Sequence, residues 1–254
     1  MKNFVKKILE SFGLEISVLD KPGSKRRPIG NIKFFLEDVR ERGFQPRGIL
    51  DIGANKGNWT TMVLSVFPES RIIMFEPQEE MRSILEQLCR RNSNLEFIQA
   101  GVGREPGELV QTIWEDLAGS SFLPEVADDK LEKGVQRMTP IITIDEILKQ
   151  KPDFVPDLVK LDIQGFELEA LKGASSTFET TELFILETSL YEFLPSQPVT
   201  FDCIKFMHEK GYYIYDVTEY LRRPFDGALG QIDIAFAKSG GMLQKSNSWY
   251  PEQN

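Results

Sequence analysis

The chain has 254 residues, 41% of them hydrophobic, which suits one large α/β domain with an extension. Its formal net charge of −9 argues against broad electrostatic capture of nucleic acid, which needs a basic face. The two cysteines, Cys89 and Cys203, have no metal-like spacing; they read as small apolar core residues of a protein in a reducing, cytoplasmic compartment.

Residues 1–45 read as an N-terminal helical cap. Phe4, Val5, Ile8, Leu9 and Phe12 share one helical face, with Lys2, Lys6 and Lys7 off it. That face suits docking on the same domain, and it is compatible with a weak membrane-surface contact through residues 1–12. The apolar set is too interrupted for a signal peptide, and no run approaches a membrane span. The basic stretch from Lys21 to Pro28 reads as a solvated loop; an anionic substrate group is its alternative partner. Ile32, Phe35, Leu36 and Val39 then repeat at helical spacing, and the helix should end near Gly43.

The next stretch organises the rest: Ile49-Leu50-Asp51-Ile52-Gly53-Ala54-Asn55-Lys56-Gly57-Asn58-Trp59-Thr60. A buried strand ends in a glycine-punctuated turn and a helix start, the opening unit of an open α/β sheet. Gly53 and Gly57 lack Cβ, so backbone N–H groups are expected to approach a ligand there. A dinucleotide turn wants glycines at its first, third and sixth positions; here these are Gly53, Asn55 and Asn58. Asp51 suits an ammonium group better than a pyrophosphate. The second strand, Arg71-Ile72-Ile73-Met74-Phe75, ends in Glu76-Pro77, about 23 residues after Gly53, where an acid accepts hydrogen bonds from ribose hydroxyls. An ammonium at the first turn and a ribose at the second strand describe S-adenosylmethionine.

Met81, Ile84, Leu85 and Leu88 mark the crossover helix, and residues 95–98 a third strand. In Ala100-Gly101-Val102-Gly103, the small residues should let an adenine ring lie against backbone. Between residues 104 and 156 the alternation lapses. A β-hairpin is expected around residues 108–114, a loop at 119–121, a strand at 139–143 and a short helix at 145–148. A long irregular connection is usually functional, so residues 104–140 read as a substrate-side insertion. Further strands follow at 158–163, 183–187, 212–217 and 232–237, with helices at 167–171 and 200–210. The last two strands are joined too closely for a βαβ crossover. The expected fold is α/β and Rossmann-like: a seven-stranded, mostly parallel sheet with an antiparallel last strand, spanning residues 46–238, then a polar tail at 239–254. Asp51, Glu76, Asp162 and Glu187 all fall at strand ends on one rim.

Asp51 to Gly57, Phe75-Glu76-Pro77, Lys160-Leu161-Asp162-Ile163-Gln164-Gly165-Phe166-Glu167, Leu171-Lys172-Gly173-Ala174 and Leu186-Glu187 together resemble the FkbM-type S-adenosylmethionine-dependent methyltransferases. The resemblance spans residues 47–237; the family usually has Glu where this chain has Gln164. It implies methylation of hydroxyls on sugars, glycolipids or natural products. It also implies that Asp51, Gly53, Asn55, Gly57 and Glu76 hold the cofactor and that Asp162 faces the transfer centre. Ala54, Thr60, Pro77, Gly101 and Val102 complete the expected cofactor contacts.

A sulfonium methyl is already activated, so the protein must align an oxygen behind it and help remove a proton. The single histidine, His208, sits on a helix face with Phe201 and Ile204 and is not the expected base. Asp162 and Glu187 are. Either Asp162 takes the proton directly, or the two acids hold a divalent cation; no third ligand is evident, so no metal is assigned. Substrate contacts are expected from Ser120 and Ser121 and from Tyr220, Arg222 and Arg223 between the last strands. The partner is then a small-molecule or glycan acceptor, without nucleic acid. N-methylation of a protein or small molecule, and a non-catalytic nucleoside-binding module, are the alternatives.

Overall fold

The computed structural model describes residues 28–246 and residue 248; the expected first helix and most of the basic loop lie outside the described residues. Helix α1 (Ile32–Glu41) starts where the Asn31 side chain accepts the Phe34 N–H at 3.1 Å. Phe35, Leu36 and Val39 from α1 are fully buried in the same cluster as the sheet, so this helix is part of the core.

The chain then alternates strand and helix. β1 (Gly48–Ile52), α2 (Asn58–Val66), β2 (Arg71–Phe75), α3 (Glu79–Arg91) and β3 (Leu95–Ile98) form the first half. After β4 (Gly101–Val102), β5 (Gly107–Thr112), α4 (Asp128–Glu132), β6 (Gln136–Ile142) and α5 (Ile144–Gln150), the main sheet resumes. It continues through β7 (Pro156–Leu161), α6 (Glu167–Lys172), α7 (Thr177–Thr180), β8 (Leu183–Ser189), α8 (Thr200–Glu209), β9 (Tyr212–Arg222) and β10 (Leu229–Lys238).

The seven-stranded sheet has the order β3-β2-β1-β7-β8-β10-β9. Its first five neighbours run parallel, and β10 is antiparallel to both β8 and β9. Strand order reverses between β1 and β7, so a crevice opens at their carboxyl ends. The strand period of two sends alternate residues into two cores. Ile49, Leu158, Ile185 and Ala235 face α1, α2 and α3; Leu50, Val159, Leu186 and Ile234 face α5, α6 and α8. Among the described residues no helix is long and apolar enough to cross a membrane.

Three expectations are corrected. The hairpin expected around residues 108–114 is half right: β5 is a strand, but its partner is β6, beyond a loop that contains α4. With β4 these two form a separate three-stranded sheet, order β4-β6-β5. Local alternation specifies a strand but not the partner that completes its hydrogen bonds. The connection between the last two strands is shorter than expected, because β9 continues to Arg222 and β10 starts at Leu229. Finally, the segment after Lys238 is docked at its start. Met242 and Leu243 pack on the core, and the Glu182 carboxylate accepts the Leu243 N–H at 2.7 Å.

Candidate active site

A cavity of about 420 Å³ lies at the carboxyl ends of β1, β2, β7 and β8. Gly53, Asn55, Glu76, Pro77, Gly101, Val102, Ser120, Asp162 and Glu187 are all on its wall, gathered from separate segments of the sequence.

The first turn works differently from the sequence expectation. Each of its five N–H groups is already engaged: Gly53 and Ala54 donate to the Phe75 carbonyl, Asn55 to Glu76, Lys56 to the Asn55 side chain and Gly57 to the Ala54 carbonyl. Residues 53–57 therefore offer no free N–H to an anion. The glycines serve backbone geometry and packing. Gly53 has φ +88°, and a Cβ there would lie 1.9 Å from the Asp162 carbonyl oxygen of the neighbouring strand. Gly57, at φ +75° before α2, is packed under Leu88.

Asp51, Ala54 and Thr60 lie behind the wall, all buried. Thr60 Oγ1 donates to Asp51 Oδ2 at 2.5 Å, and Asp51 Oδ1 is buried with no hydrogen-bond partner among the described residues. Burial pushes the Asp51 carboxyl up, against the opposing pull of Lys160 and Thr60. Glu76 is buried as well, and burial raises it too. Its Oε2 accepts the Asn55 N–H at 2.8 Å and its Oε1 accepts the Gln78 N–H at 3.0 Å, so the carboxylate is fixed in orientation at the cavity.

A charged row crosses the sheet beside it. Asp51, Lys160, Glu187 and Asp233 occupy one face of β1, β7, β8 and β10, the face that carries Ile49, Leu158, Ile185 and Ala235. Register pairs Asp51 with Lys160 and Glu187 with Asp233. Lys160 Nζ donates to Asp162 Oδ2 at 2.9 Å and lies 5.8 Å from the Trp59 ring centroid. Burial would lower the Lys160 ammonium, but Asp162 and Asp51 outweigh it and hold it above its ordinary range. Burial would raise Asp162, but the Lys160 charge and hydrogen bonds from Lys160, Glu187 and Gln164 hold it below the usual range. Glu187 is pushed well up, first by burial and then by the charges of Asp162, Glu167 and Asp233. Burial, with the Asp162 charge, brings Asp233 to about 7. The surroundings therefore push the two neighbouring acids in opposite directions, Asp162 down and Glu187 up.

Gln164 Nε2 joins the two wall acids, donating to Asp162 Oδ1 at 3.1 Å and to Glu187 Oε2 at 2.8 Å. The opposite wall comes from the insertion. Phe122 and Gln111 line the cavity, and a Cβ on Gly101 would meet Phe122 at 2.7 Å. Ser120 Oγ donates to Gln78 Oε1 at 3.2 Å, tying the insertion to the strand that carries Glu76. Ser121 is not on the wall; its hydroxyl donates to the Gln164 carbonyl at 2.9 Å.

Tyr220, Arg222 and Arg223 do not reach the cavity. The Tyr220 ring covers Gly30, where a Cβ would lie 2.4 Å from it. Arg222 Nη1 donates to the Gly227 carbonyl at 2.9 Å, and Arg223 pairs with Asp226. The physical reason is strand parity: Leu221 and its register partner Gln231 line the cavity, so Tyr220 and Arg222 face away. His208 is exposed on α8, edge-on to Tyr213. Lys160, Gln78, Phe122 and Asp233 were missed by sequence reasoning. Only Lys160 carried a local signal, an isolated charge within the apolar run Leu158-Val159-Lys160-Leu161.

The sequence model described as Methyltransferase FkbM domain matches residues 51–214, more than half of the chain. Methyltransferase sdnD of Sordaria araneosa is 27% identical over 169 residues, covering 55% of this chain and 65% of that protein. Methyltransferase 1 of Beauveria bassiana (strain ARSEF 2860) is 30% identical over 146 residues, covering 49% of this chain and 57% of that protein. The chain thus spans less than two thirds of the length of these two relatives. A solved structure of methyltransferase FkbM from Methylobacillus flagellatus KT aligns at 15% identity with a TM-score of 0.48, over 92% of this chain and 70% of that one. The family match covers all four acids, Asp51, Glu76, Asp162 and Glu187, and by that match the chain belongs to the methyltransferase FkbM domain family.

Proposed function

We propose that the protein is an S-adenosylmethionine-dependent methyltransferase that methylates a hydroxyl of a sugar, glycolipid or natural product. The observation that carries this reading is the cavity wall: among the described residues it has four acidic side chains, Glu76, Asp116, Asp162 and Glu187, and no lysine or arginine. Such a wall suits a ligand bearing positive charge and repels a pyrophosphate. The engaged N–H groups of the first turn point the same way. The unpartnered Oδ1 of Asp51 adds a further acceptor behind the wall.

The residues present fit the cofactor. Glu76 is oriented to accept from a ribose hydroxyl: Oε1 takes two hydrogen bonds from Gln78, and Oε2, which takes one from Asn55, keeps a second acceptor site. Ala100, Gly101 and Val102 offer a low wall for a flat ring, and Phe122 sits next to them. Bound S-adenosylmethionine would supply a methyl group on a positively charged sulfur, which leaves as a neutral thioether. Asp162 is then the acceptor's proton sink: it is ionised and stands on the wall. It takes the hydroxyl proton as the new carbon–oxygen bond forms. Glu187, whose carboxyl is pushed well up by burial and by the neighbouring acids, is tied to Asp162 through the Gln164 amide. Carboxylate base chemistry favours an oxygen acceptor, because a neutral amine attacks without prior loss of a proton.

The mouth of the cavity supports an acceptor with an apolar portion. Leu221 on the wall is exposed, and Phe193, paired with the exposed Tyr191 ring at 5.7 Å, lies against Gly230 beside the wall residue Gln231.

The deciding experiment is calorimetric titration of S-adenosylhomocysteine into wild type and Glu76→Ala. Micromolar binding is expected in the wild type and at least about a tenfold loss in the variant, on the order of 1.4 kcal/mol. Absence of binding to a folded wild type would reject the methyltransferase reading.

A further inference from the structure

Gln164 occupies the point where a cation bridging the two wall acids would have to sit. Its Nε2 is 3.1 Å from Asp162 Oδ1 and 2.8 Å from Glu187 Oε2, so one NH2 group spends both its hydrogens on the pair. A divalent cation shared by the same carboxylates would use those same oxygen lone pairs, at about 2.0–2.6 Å. The amide and the cation exclude each other. The amide is also anchored. Gln164 has φ +55°, a left-handed conformation that is rare for a residue with a Cβ. It is followed by Gly165 at φ +94°, and its carbonyl is held by Ser121 Oγ at 2.9 Å. A non-glycine residue kept in that region is held there by its surroundings.

The other oxygen of Asp162 is already neutralised from within the chain, by Lys160 Nζ at 2.9 Å. Among the described residues, no group of three His, Cys, Asp or Glu side chains is arranged to hold a metal ion. The pair therefore has its counter-charge and its bridge without an ion.

We propose that Gln164 is a positioning residue that locks Asp162 and Glu187 together through its amide and, by filling the bridging position, makes the centre independent of divalent cations. The inference rests on the methyltransferase reading for its catalytic meaning, but its physical content concerns the three side chains alone. It predicts that Glu at position 164 would turn the pair into a three-carboxylate cation site.

The test is titration of Mn2+ into the full chain, with and without S-adenosylhomocysteine, read by calorimetry and by the electron paramagnetic resonance signal of free Mn2+. Wild type is expected to bind no stoichiometric Mn2+ up to about 1 mM. Gln164→Glu is expected to bind one Mn2+ at least about tenfold more tightly than wild type. Gln164→Met keeps the length of the side chain without its donors, and should also bind more Mn2+ than wild type while S-adenosylhomocysteine affinity stays within about threefold. Tight stoichiometric Mn2+ binding by wild type would overturn the proposal. So would folded variants that both bind no more Mn2+ than wild type, the Met variant deciding alone where the Glu variant does not fold. Loss of nucleoside binding by wild type would reject the methyltransferase reading and leave the cation comparison standing on the unliganded chain.

Discussion

Asp162 and Glu187 are both acids on one wall, yet their surroundings shift them in opposite directions. Asp162 faces the only cation in the buried row, Lys160, at 2.9 Å. Glu187 faces Asp162 and Asp233, and burial with those charges pushes its carboxyl well up. On the proposed reaction, Asp162 would receive the acceptor's proton, with Glu187 held beside it by the Gln164 amide. Asp162→Asn preserves shape and removes the base. Turnover should fall at least about a hundredfold, while S-adenosylhomocysteine affinity stays within about threefold. Single-turnover assays alongside calorimetry would separate the two, and unchanged turnover would take Asp162 out of the chemistry. Sequence reading reached both acids because each ends an apolar strand. It did not reach Gln164 as their bridge, since which side chains meet across β7 and β8 depends on register.

At the level of elements, the turn between β1 and α2 holds two sheet strands close together. Its glycine at position 53 is required by both conformation and space: φ is +88° and a Cβ would lie 1.9 Å from the Asp162 carbonyl oxygen. Gly227, in the turn between β9 and β10, has φ +75° but nothing within 4 Å of its missing Cβ. Urea unfolding of the two alanine variants should therefore differ. Gly227→Ala should cost about 1–2 kcal/mol, the left-handed conformation alone. Gly53→Ala should cost about 3 kcal/mol or more, because backbone must also move. Equal losses would show that steric approach at Gly53 is unimportant. The glycine pattern in the sequence marked the turn correctly. It misled on the purpose, because a pattern cannot show that the partner of each N–H is the protein itself.

Taken as a whole, the molecule concentrates acids where solvent is scarce, and that couples its stability to pH. Asp233 is raised from 3.8 to about 7, and Glu167 from 4.5 to about 7, both chiefly by burial. Between the ordinary and the raised values the folded state binds more protons than the unfolded chain. Stability should therefore fall as pH rises from about 4 to about 7 and level off above that, as far as these groups decide it. Asp233→Asn removes the buried charge at high pH. It should stabilise the protein at pH 8, on the order of 2 kcal/mol, and by clearly less at pH 5. Thermal unfolding at the two pH values measures the difference; an equal shift at both would mean that Asp233 titrates normally.

The strands, the crossover helices and the acids at the strand ends follow from local chemistry: an apolar run, a glycine turn, then a helical period, repeated along the chain. These features are periodic over a few residues, so they are written in the order of the residues. The closure of the cavity is not. β5 finds its partner across a loop containing α4, Phe122 comes to lie over Gly101, and Ser120 reaches Gln78 across the fold. The same holds for the last two strands, where one step of parity puts Leu221 on the wall and turns Tyr220 and Arg222 away. Which residues pair across a sheet depends on register and long-range packing, and those exist only once the chain has folded.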